Sequence, residues 1–144
     1  MNLKHVKTNA MRVLDTSKIE YKTHSYDTSD GHIDGVSVAE KLKEPLEQVF
    51  KTLVTKGHTG ANYVFVIPVG EKSVEMINVK DINKVTGYIR GGCSPIGMKR
   101  HYITVIDKAC ESLETMIISG GKIGYQIELK PEALIKLIDA KVAE

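Results

Sequence analysis

The sequence predicts an α+β fold with a mixed, barrel-like β-sheet flanked by helices. Apolar residues recur at helical spacing near both ends of the chain, and five or six segments rich in β-branched and aromatic residues lie between them. The chain has 144 residues, of which 42% are hydrophobic and 26% charged. This size and composition suit one globular domain with its own core, and we expect a single domain over residues 1–144.

Three segments carry the signals of helices. The first is residues 8–16, with Thr8 or Asn9 as its cap. The second opens with the capping box at residues 37–40, Ser-Val-Ala-Glu. The third begins at Pro131, a residue type favoured at the first helical position, and continues with leucine and isoleucine at helical spacing. We therefore expect helices at both ends of the chain and a short one between them.

Strand signals fill the middle of the chain. They are short runs of valine, isoleucine, threonine and tyrosine, bounded by glycine and polar residues. We expect a strand at residues 21–26 and then a run of five strands at residues 49–55, 62–69, 102–106, 116–119 and 125–129, with residues 73–77 as a sixth. These strands would form the sheet that the two terminal helices cover.

Composition excludes several classes of protein. The longest apolar run, residues 63–69, is far shorter than the ~20 residues of a membrane helix. No signal-peptide stretch is present, so we expect a cytoplasmic protein with no membrane partner. The two cysteines do not make a disulfide scaffold. A net charge of +2 neither requires nor excludes a nucleic-acid partner, and 6% aromatic residues without tryptophan argue against a broad base-stacking platform.

Lys51 is out of place in its predicted strand. Side chains alternate between the two faces of a strand, so Lys51 shares its face with Val49 and Leu53. One interpretation is an edge-strand lysine that reaches solvent and blocks aggregation. The other is an ammonium held in a pocket and aimed at a carbonyl or phosphate group. The pattern alone favours the first interpretation and leaves the second open.

Two glycine-rich segments interrupt the strand pattern. Residues 87–97 (GYIRGGCSPIG) would let backbone N–H groups approach a ligand closely, or would form a tight turn. Residues 119–124 (SGGKIG) read as a hairpin turn, although Gly124 at the start of the next strand suggests a close backbone or ligand approach. Neither segment matches a nucleotide-binding fingerprint.

A search for metal ligands and nucleophiles yields little. Asp27, Asp30, His32 and Asp34 lack the spacing of a calcium loop or a zinc site and read as a solvated loop that caps the next helix. Cys93 has no accompanying histidine signature, and no serine-hydrolase motif is present. We therefore expect no metal, no cofactor and no catalytic triad.

Three segments in order carry a resemblance to a known family: FKTL at 50–53, GYIRGGCSPIG at 87–97 and SGGKIG at 119–124. Together they resemble the YbaK/EbsC family of free-standing Cys-tRNA(Pro)/Cys-tRNA(Cys) deacylases, related to the editing domain of prolyl-tRNA synthetase. The resemblance implies an α/β domain around a mixed, barrel-like sheet. It also implies hydrolytic editing of Cys-tRNA(Pro), with Cys-tRNA(Cys) as a second candidate substrate, in which the substrate's own thiol attacks its ester carbonyl.

The family motifs also imply a set of site residues. Carried over by position, the catalytic residues are Lys51, Gly91 and Ser119, and the substrate-binding residues are Tyr26, Thr52, Gly92, Ser94, Gly120 and Gln126. Some members have aspartate where this chain has Gln126. Relatives usually carry a lysine-rich helix in the region where residues 69–76 here connect two strands directly. An enzyme nucleophile at Cys93 is not expected, because relatives often have isoleucine there.

The charges of residues 88–106 are compatible with binding to tRNA. No acidic residue occurs from Tyr88 to Ile106. The candidate contacts to acceptor-stem phosphates are Arg90, Lys99, Arg100 and Lys122. The family implies tRNA as substrate and prolyl-tRNA synthetase as a partner. A non-catalytic module that binds aminoacyl-tRNA or a synthetase with the same fold remains the alternative.

Overall fold

The computed structural model describes residues 7–56, 62–70, 93–98 and 102–143. In chain order the elements are α1 (Asn9–Thr16), β1 (Lys22–Ser25), α2 (Gly35–Leu42), β2 (Phe50–Lys56), β3 (Asn62–Pro68), β4 (Ile103–Ile106), β5 (Met116–Ser119), β6 (Tyr125–Leu129), α3 (Pro131–Ile138) and β7 (Lys141–Val142). A 3-10 helix, Lys108–Ser112, lies between β4 and β5. The strand expected at 73–77 lies outside the described residues.

The strands form two sheets. One is antiparallel with the order β1-β6-β5, and the other is mixed with the order β2-β3-β4-β7. The sheets meet where Val49 forms an isolated parallel bridge with Ile117. The α+β class is confirmed, whereas the described strands do not close into a barrel. The junction between the sheets leaves room for a cavity.

The helix starts are set by local hydrogen bonds. Thr8 caps α1 as expected, because its side chain accepts a hydrogen bond from the Met11 N–H. The expected start of α2 at Ser37 is wrong: α2 begins at Gly35, and Asp34 is its cap. The Asp34 carboxylate accepts bonds from the Ser37 N–H at 3.2 Å and the Ser37 hydroxyl at 2.7 Å. The Asp34 carboxylate thus accepts from the Ser37 N–H, which the Glu40 side chain was expected to satisfy in a capping box.

Two apolar clusters hold the layers together. The larger cluster packs α1 and α3 against both sheets and includes Met11, Leu14 and Leu134, all at most 1% exposed. The smaller cluster contains Ala39 of α2 with Val49, Val69 and Ile117. Burial of each such aliphatic side chain contributes about 1.5–3 kcal/mol. The smaller cluster fixes α2 over the junction of the two sheets.

Gly35 allows α2 to approach the end of β3 very closely. A Cβ atom at this position would lie 2.4 Å from Cγ1 and 2.7 Å from Cβ of Val69. Real side-chain atoms do not come so close, so glycine is required unless α2 shifts. This contact places the first turn of α2 beside the junction.

Local signals predicted many of these elements but not all of them. The predicted bounds of β5 and β6 are confirmed, and α3 begins at Pro131 as predicted. The 3-10 helix and β7 were not predicted; β7 has only two residues and exists through its parallel pairing with β4. In the described part of the chain, none of the helices has the length and apolar character needed to cross a bilayer.

Candidate active site

A cavity of about 760 Å³ lies at the junction of the two sheets. Its volume is in the usual range for small-molecule sites. The lining comes from the loop before α2 and its first turns, from β2, and from single residues of other elements: residues 31–36, 38, 49–54, Val69, Cys93, Ser119 and Gln126. Residues from six separate parts of the chain therefore line one cavity.

Lys51 reaches this cavity from β2. Its neighbours Phe50 and Val54 belong to the large core, while Lys51 itself is half-buried and lines the cavity. In the described sheet order β2 is an edge strand, so one part of the edge-lysine interpretation holds. The side chain nevertheless lies among the residues of a pocket, as the second interpretation requires.

Ser119 and Gln126 form the opposite wall of the cavity. They are direct partners in the antiparallel pairing of β5 with β6, so both side chains leave the same face of the sheet. The Ser119 hydroxyl accepts a hydrogen bond from the Gly121 N–H at 3.2 Å. Gln126 is only 6% exposed, and none of the described residues is hydrogen-bonded to its side chain. Among the described residues nothing competes with a ligand for its amide.

Two buried hydroxyls lie in this region. The Thr52 Oγ1 and the Tyr26 hydroxyl oxygen are both shielded from solvent and have no hydrogen-bond partner among the described residues. Thr52 lines the cavity, whereas Tyr26 is not among its lining residues. A buried hydroxyl without a partner is costly, by about 1–3 kcal/mol. The Thr52 hydroxyl is thus a second polar group that a ligand in the cavity could satisfy.

The other predicted site residues do not line the cavity or cannot be placed. Ser94 is buried, and its hydroxyl accepts a bond from the Ile96 N–H. The Gly120 carbonyl accepts a bond from the Thr8 hydroxyl, and Lys122 is exposed with its ammonium 5.9 Å from the Tyr125 ring centre. Five predicted residues lie outside the described residues: Arg90, Gly91, Gly92, Lys99 and Arg100.

Sequence reasoning missed one wall of the cavity. The loop before α2 was expected only to cap the helix, which it does through Asp34, yet its residues 31–34 also line the cavity. Lys41 of α2 holds this loop: its ammonium donates to the Asp27 carbonyl at 2.7 Å, the Asp30 carboxylate at 2.8 Å and the His32 carbonyl at 2.9 Å. These contacts join residues 9–14 positions apart in a loop, and no periodic pattern in the sequence predicts them.

The carboxylates of the loop before α2 are stabilised in their charged form. The hydrogen bond from Lys41, followed by that from the His32 N–H, lowers the pKa of Asp30. The hydrogen bonds from the Ser37 hydroxyl and N–H lower the pKa of Asp34. Both acids are therefore ionised at neutral pH. The cavity offers an ammonium on β2, a carboxylate at the start of α2, and uncharged hydroxyl and amide groups between them.

Comparison with known proteins identifies a family. Residues 68–137 match the family model described as "Aminoacyl-tRNA editing domain". A curated protein of Enterococcus faecalis is 42% identical over 151 aligned positions, which cover 96% of this chain and 92% of that protein. It is named "Putative Cys-tRNA(Pro)/Cys-tRNA(Cys) deacylase EbsC".

Solved structures share the fold at lower identity. One, entitled "Crystal structure of a putative trans-editing enzyme for prolyl tRNA synthetase", has a TM-score of 0.78 at 20% identity and covers 96% of this chain and 97% of its own. Another, from work on epitope grafting onto scaffold proteins by computational design, has a TM-score of 0.81 at 19% identity with the same coverage. These structures show that the whole described arrangement of sheets and helices is a known fold.

Proposed function

This chain belongs to the YbaK/EbsC family of aminoacyl-tRNA editing proteins, and from that premise we propose that it is a trans-editing deacylase for Cys-tRNA(Pro). Cys-tRNA(Cys) is a second substrate. The observation that carries the proposal is the convergence of Lys51, Ser119 and Gln126 on one cavity. These residues come from two different sheets and include one cation.

The cavity suits the aminoacylated end of a tRNA. At about 760 Å³ it has room for a cysteinyl group together with its ribose. A synthetase that selects proline by size discriminates poorly against cysteine, since steric pockets reject near-isosteres by only 10–200-fold or so. A second site that examines the attached amino acid removes the error.

The reaction needs no nucleophile from the protein. The cysteinyl sulfur attacks its own ester carbonyl carbon, so a C–S bond forms as the bond to the ribose oxygen breaks. The thiol proton ends on that leaving oxygen, and water later opens the cyclic thioester to free cysteine. Lys51 stabilises the negative charge that develops on the ester oxygens, while Ser119, Thr52 and Gln126 hold the substrate by hydrogen bonds.

Partners and location follow from the substrate. Prolyl-tRNA synthetase, whose error supplies Cys-tRNA(Pro), is a partner in a cytoplasmic reaction. The exposed Lys122 contacts acceptor-stem phosphates, and the basic residues Arg90, Lys99 and Arg100 are further candidates for such contacts. Binding therefore weakens as salt rises, whereas the identity of the aminoacyl group sets the rate.

Cys93 allows a sharp test, because it is a thiol in the lining of the cavity. Release of free tRNA is measured from Cys-tRNA(Pro) and Ser-tRNA(Pro), with the wild type and a Cys93→Ala variant. We expect the serine ester to react about 100-fold or more slowly, because a hydroxyl is a far weaker nucleophile than a thiol. The Cys93→Ala variant should retain its activity on Cys-tRNA(Pro).

Three outcomes contradict the proposal in different ways. Loss of activity in Cys93→Ala would indicate an enzyme thiol as nucleophile. Equal rates on the cysteine and serine esters would indicate attack by water. Tight binding of Cys-tRNA(Pro) without turnover, with or without the synthetase, would instead favour the non-catalytic binding module.

A further inference from the structure

A second polar cluster lies outside the cavity residues and is not used by the editing chemistry. One nitrogen of His24 and one carboxylate oxygen each of Glu44 and Glu128 lie within 4.8 Å of one another. His24 is in β1, Glu128 is in β6, and Glu44 follows the end of α2. All three side chains are half-buried. Three segments that are distant in sequence thus direct one donor atom each to a common point.

The charges of the cluster are only partly balanced by the described residues. Glu128 pairs with His24 at 2.8 Å between Oε1 and Nε2. Glu44 has no ion pair with any described residue, although it stands beside a second carboxylate. With a neutral imidazole the two carboxylates contribute two negative charges, and the exposed Lys22, opposite Glu128 in the β1–β6 pairing, offsets only part of the charge of Glu128. Two half-buried carboxylates beside an imidazole are a donor set that divalent cations bind.

Hydrogen bonds behind the cluster fix the orientation of Glu128. The Thr115 hydroxyl donates to Oε2 of Glu128 and leaves Oε1 directed towards His24. Gln48 in turn donates from Nε2 to the Thr115 hydroxyl at 3.0 Å and to the Thr115 carbonyl at 3.2 Å. Such second-layer bonds typically orient the ligands of metal sites. Burial raises the pKa of Glu128, but the bonds from Thr115 and His24 outweigh it, so the pKa is lowered and the carboxylate is ionised.

We propose that His24, Glu44 and Glu128 form a binding site for a divalent transition-metal ion, with Zn²⁺ as the best-fitting probe. A tetrahedral Zn²⁺ with bonds of about 2.0–2.2 Å places its ligand atoms about 3.4 Å apart. The three donor atoms already lie within 4.8 Å of one another, so small side-chain rotations suffice. The ion takes the place of the proton between His24 and Glu128, and water completes its coordination.

The ion joins the sheet to the end of α2. His24 is the direct strand partner of Gln126, which lines the cavity, and Glu128 is two residues further along β6. The proposed metal site therefore lies on the same face of the β1-β6-β5 sheet as the cavity wall. Its two strand ligands are the next residues on that face beyond those that line the cavity. Because the donors come from three segments, binding favours the folded state and raises its stability. This role is independent of the editing reaction.

The test uses the full chain freed of metal with a chelator and kept reduced. Zn²⁺ binding is measured by titration calorimetry, and thermal unfolding is recorded with and without Zn²⁺. We expect one ion per chain and, at 100 times the dissociation constant, a rise in Tm of about 5 °C or more. Co²⁺ in place of Zn²⁺ should give a d–d spectrum without a thiolate charge-transfer band, which separates this site from Cys93 and Cys110.

Matched variants assign the ion to the cluster. Glu44→Gln removes one ligand but keeps the His24–Glu128 pair, and it should weaken binding at least tenfold. Glu47→Gln, the same change at an exposed position three residues further on, should bind like the wild type. Thr115→Val should weaken binding about tenfold or more through the orientation of Glu128. Equal binding by Glu44→Gln and the wild type, or no binding of Zn²⁺ or Co²⁺ near one ion per chain, overturns the proposal.

Discussion

Lys51 and Ser119 belong to different sheets, yet both line the same cavity. The bridge between Val49 and Ile117 joins the sheets two residues before each of them. The strand with Lys51 and the strand with Ser119 therefore start from the same contact and continue next to each other. Any change at this junction should affect both residues together.

Replacing Lys51 should impair the chemical step. Lys51→Ala removes the positive charge in the cavity that faces the developing oxyanion, and loss of such a donor typically costs about 100–1,000-fold in kcat. Steady-state deacylation of Cys-tRNA(Pro) measures the effect. Lys136→Ala, at an exposed position on α3, is the control and should keep wild-type kcat. A Lys51→Ala enzyme with normal kcat would remove this residue from the mechanism.

Gln126 should be more important for activity than for stability. Its side chain is buried at the cavity and has no hydrogen bond to the described residues, so Gln126→Leu removes no bond within the described part of the chain. We expect an unfolding free energy equal to or above that of the wild type, and kcat/KM reduced about tenfold, as for one lost substrate hydrogen bond. Urea unfolding and deacylation assays provide the two numbers. A variant with a reduced unfolding free energy and the kcat/KM of the wild type would contradict this prediction, because Gln126 would then matter for stability and not for activity.

Lys41 should act as a positioning residue for the cavity wall. Lys41→Met keeps the length of the side chain but loses all three bonds to the loop at residues 27–32. We expect a higher KM for Cys-tRNA(Pro), by about tenfold, with a smaller change in kcat and faster amide exchange in the loop. Lys43→Met, at the exposed residue that ends α2, is the matched control. Equal KM values in the two variants would contradict the assignment.

The close contact of Gly35 with Val69 should tolerate no side chain. Gly35→Ala places a methyl group 2.4 Å from Cγ1 of Val69, and relief of such overpacking costs about 1–3 kcal/mol of unfolding free energy. Gly70→Ala is the control, because among the described residues its methyl group would meet only Leu46, at the ordinary distance of 3.8 Å. Denaturant unfolding of both variants tests the difference. The argument fails if Gly35→Ala is as stable as Gly70→Ala.

Glu128 should contribute to stability in a pH-dependent way. Its pKa is lowered in the folded protein, so its contribution is complete above the pKa of the unfolded chain and is lost as pH falls through the folded value. In metal-free protein, Glu128→Gln should therefore lose less unfolding free energy than the wild type between about pH 5 and pH 3. Glu47→Gln, which is exposed, should follow the wild-type curve. Parallel curves for all three proteins would refute the prediction.

Local patterns in the sequence determined most elements and several candidate site residues. The strands at 116–119 and 125–129, the cap at Thr8 and the start of α3 at Pro131 were predicted because each depends on neighbours within a few positions. The motifs that resemble the editing family selected Lys51, Thr52, Ser119 and Gln126, and all four line one cavity. Alternation in β2 also marked Lys51 as unusual, because it puts a charged side chain between two apolar ones on the same face.

Only the tertiary structure decided how these residues meet. The contacts of Lys41 with its loop and the convergence of His24 with Glu128, 104 residues away, leave no periodic trace in the sequence. Strand pairing brings such residues together, and pairing depends on the balance of burial over the whole chain rather than on any local run of residues.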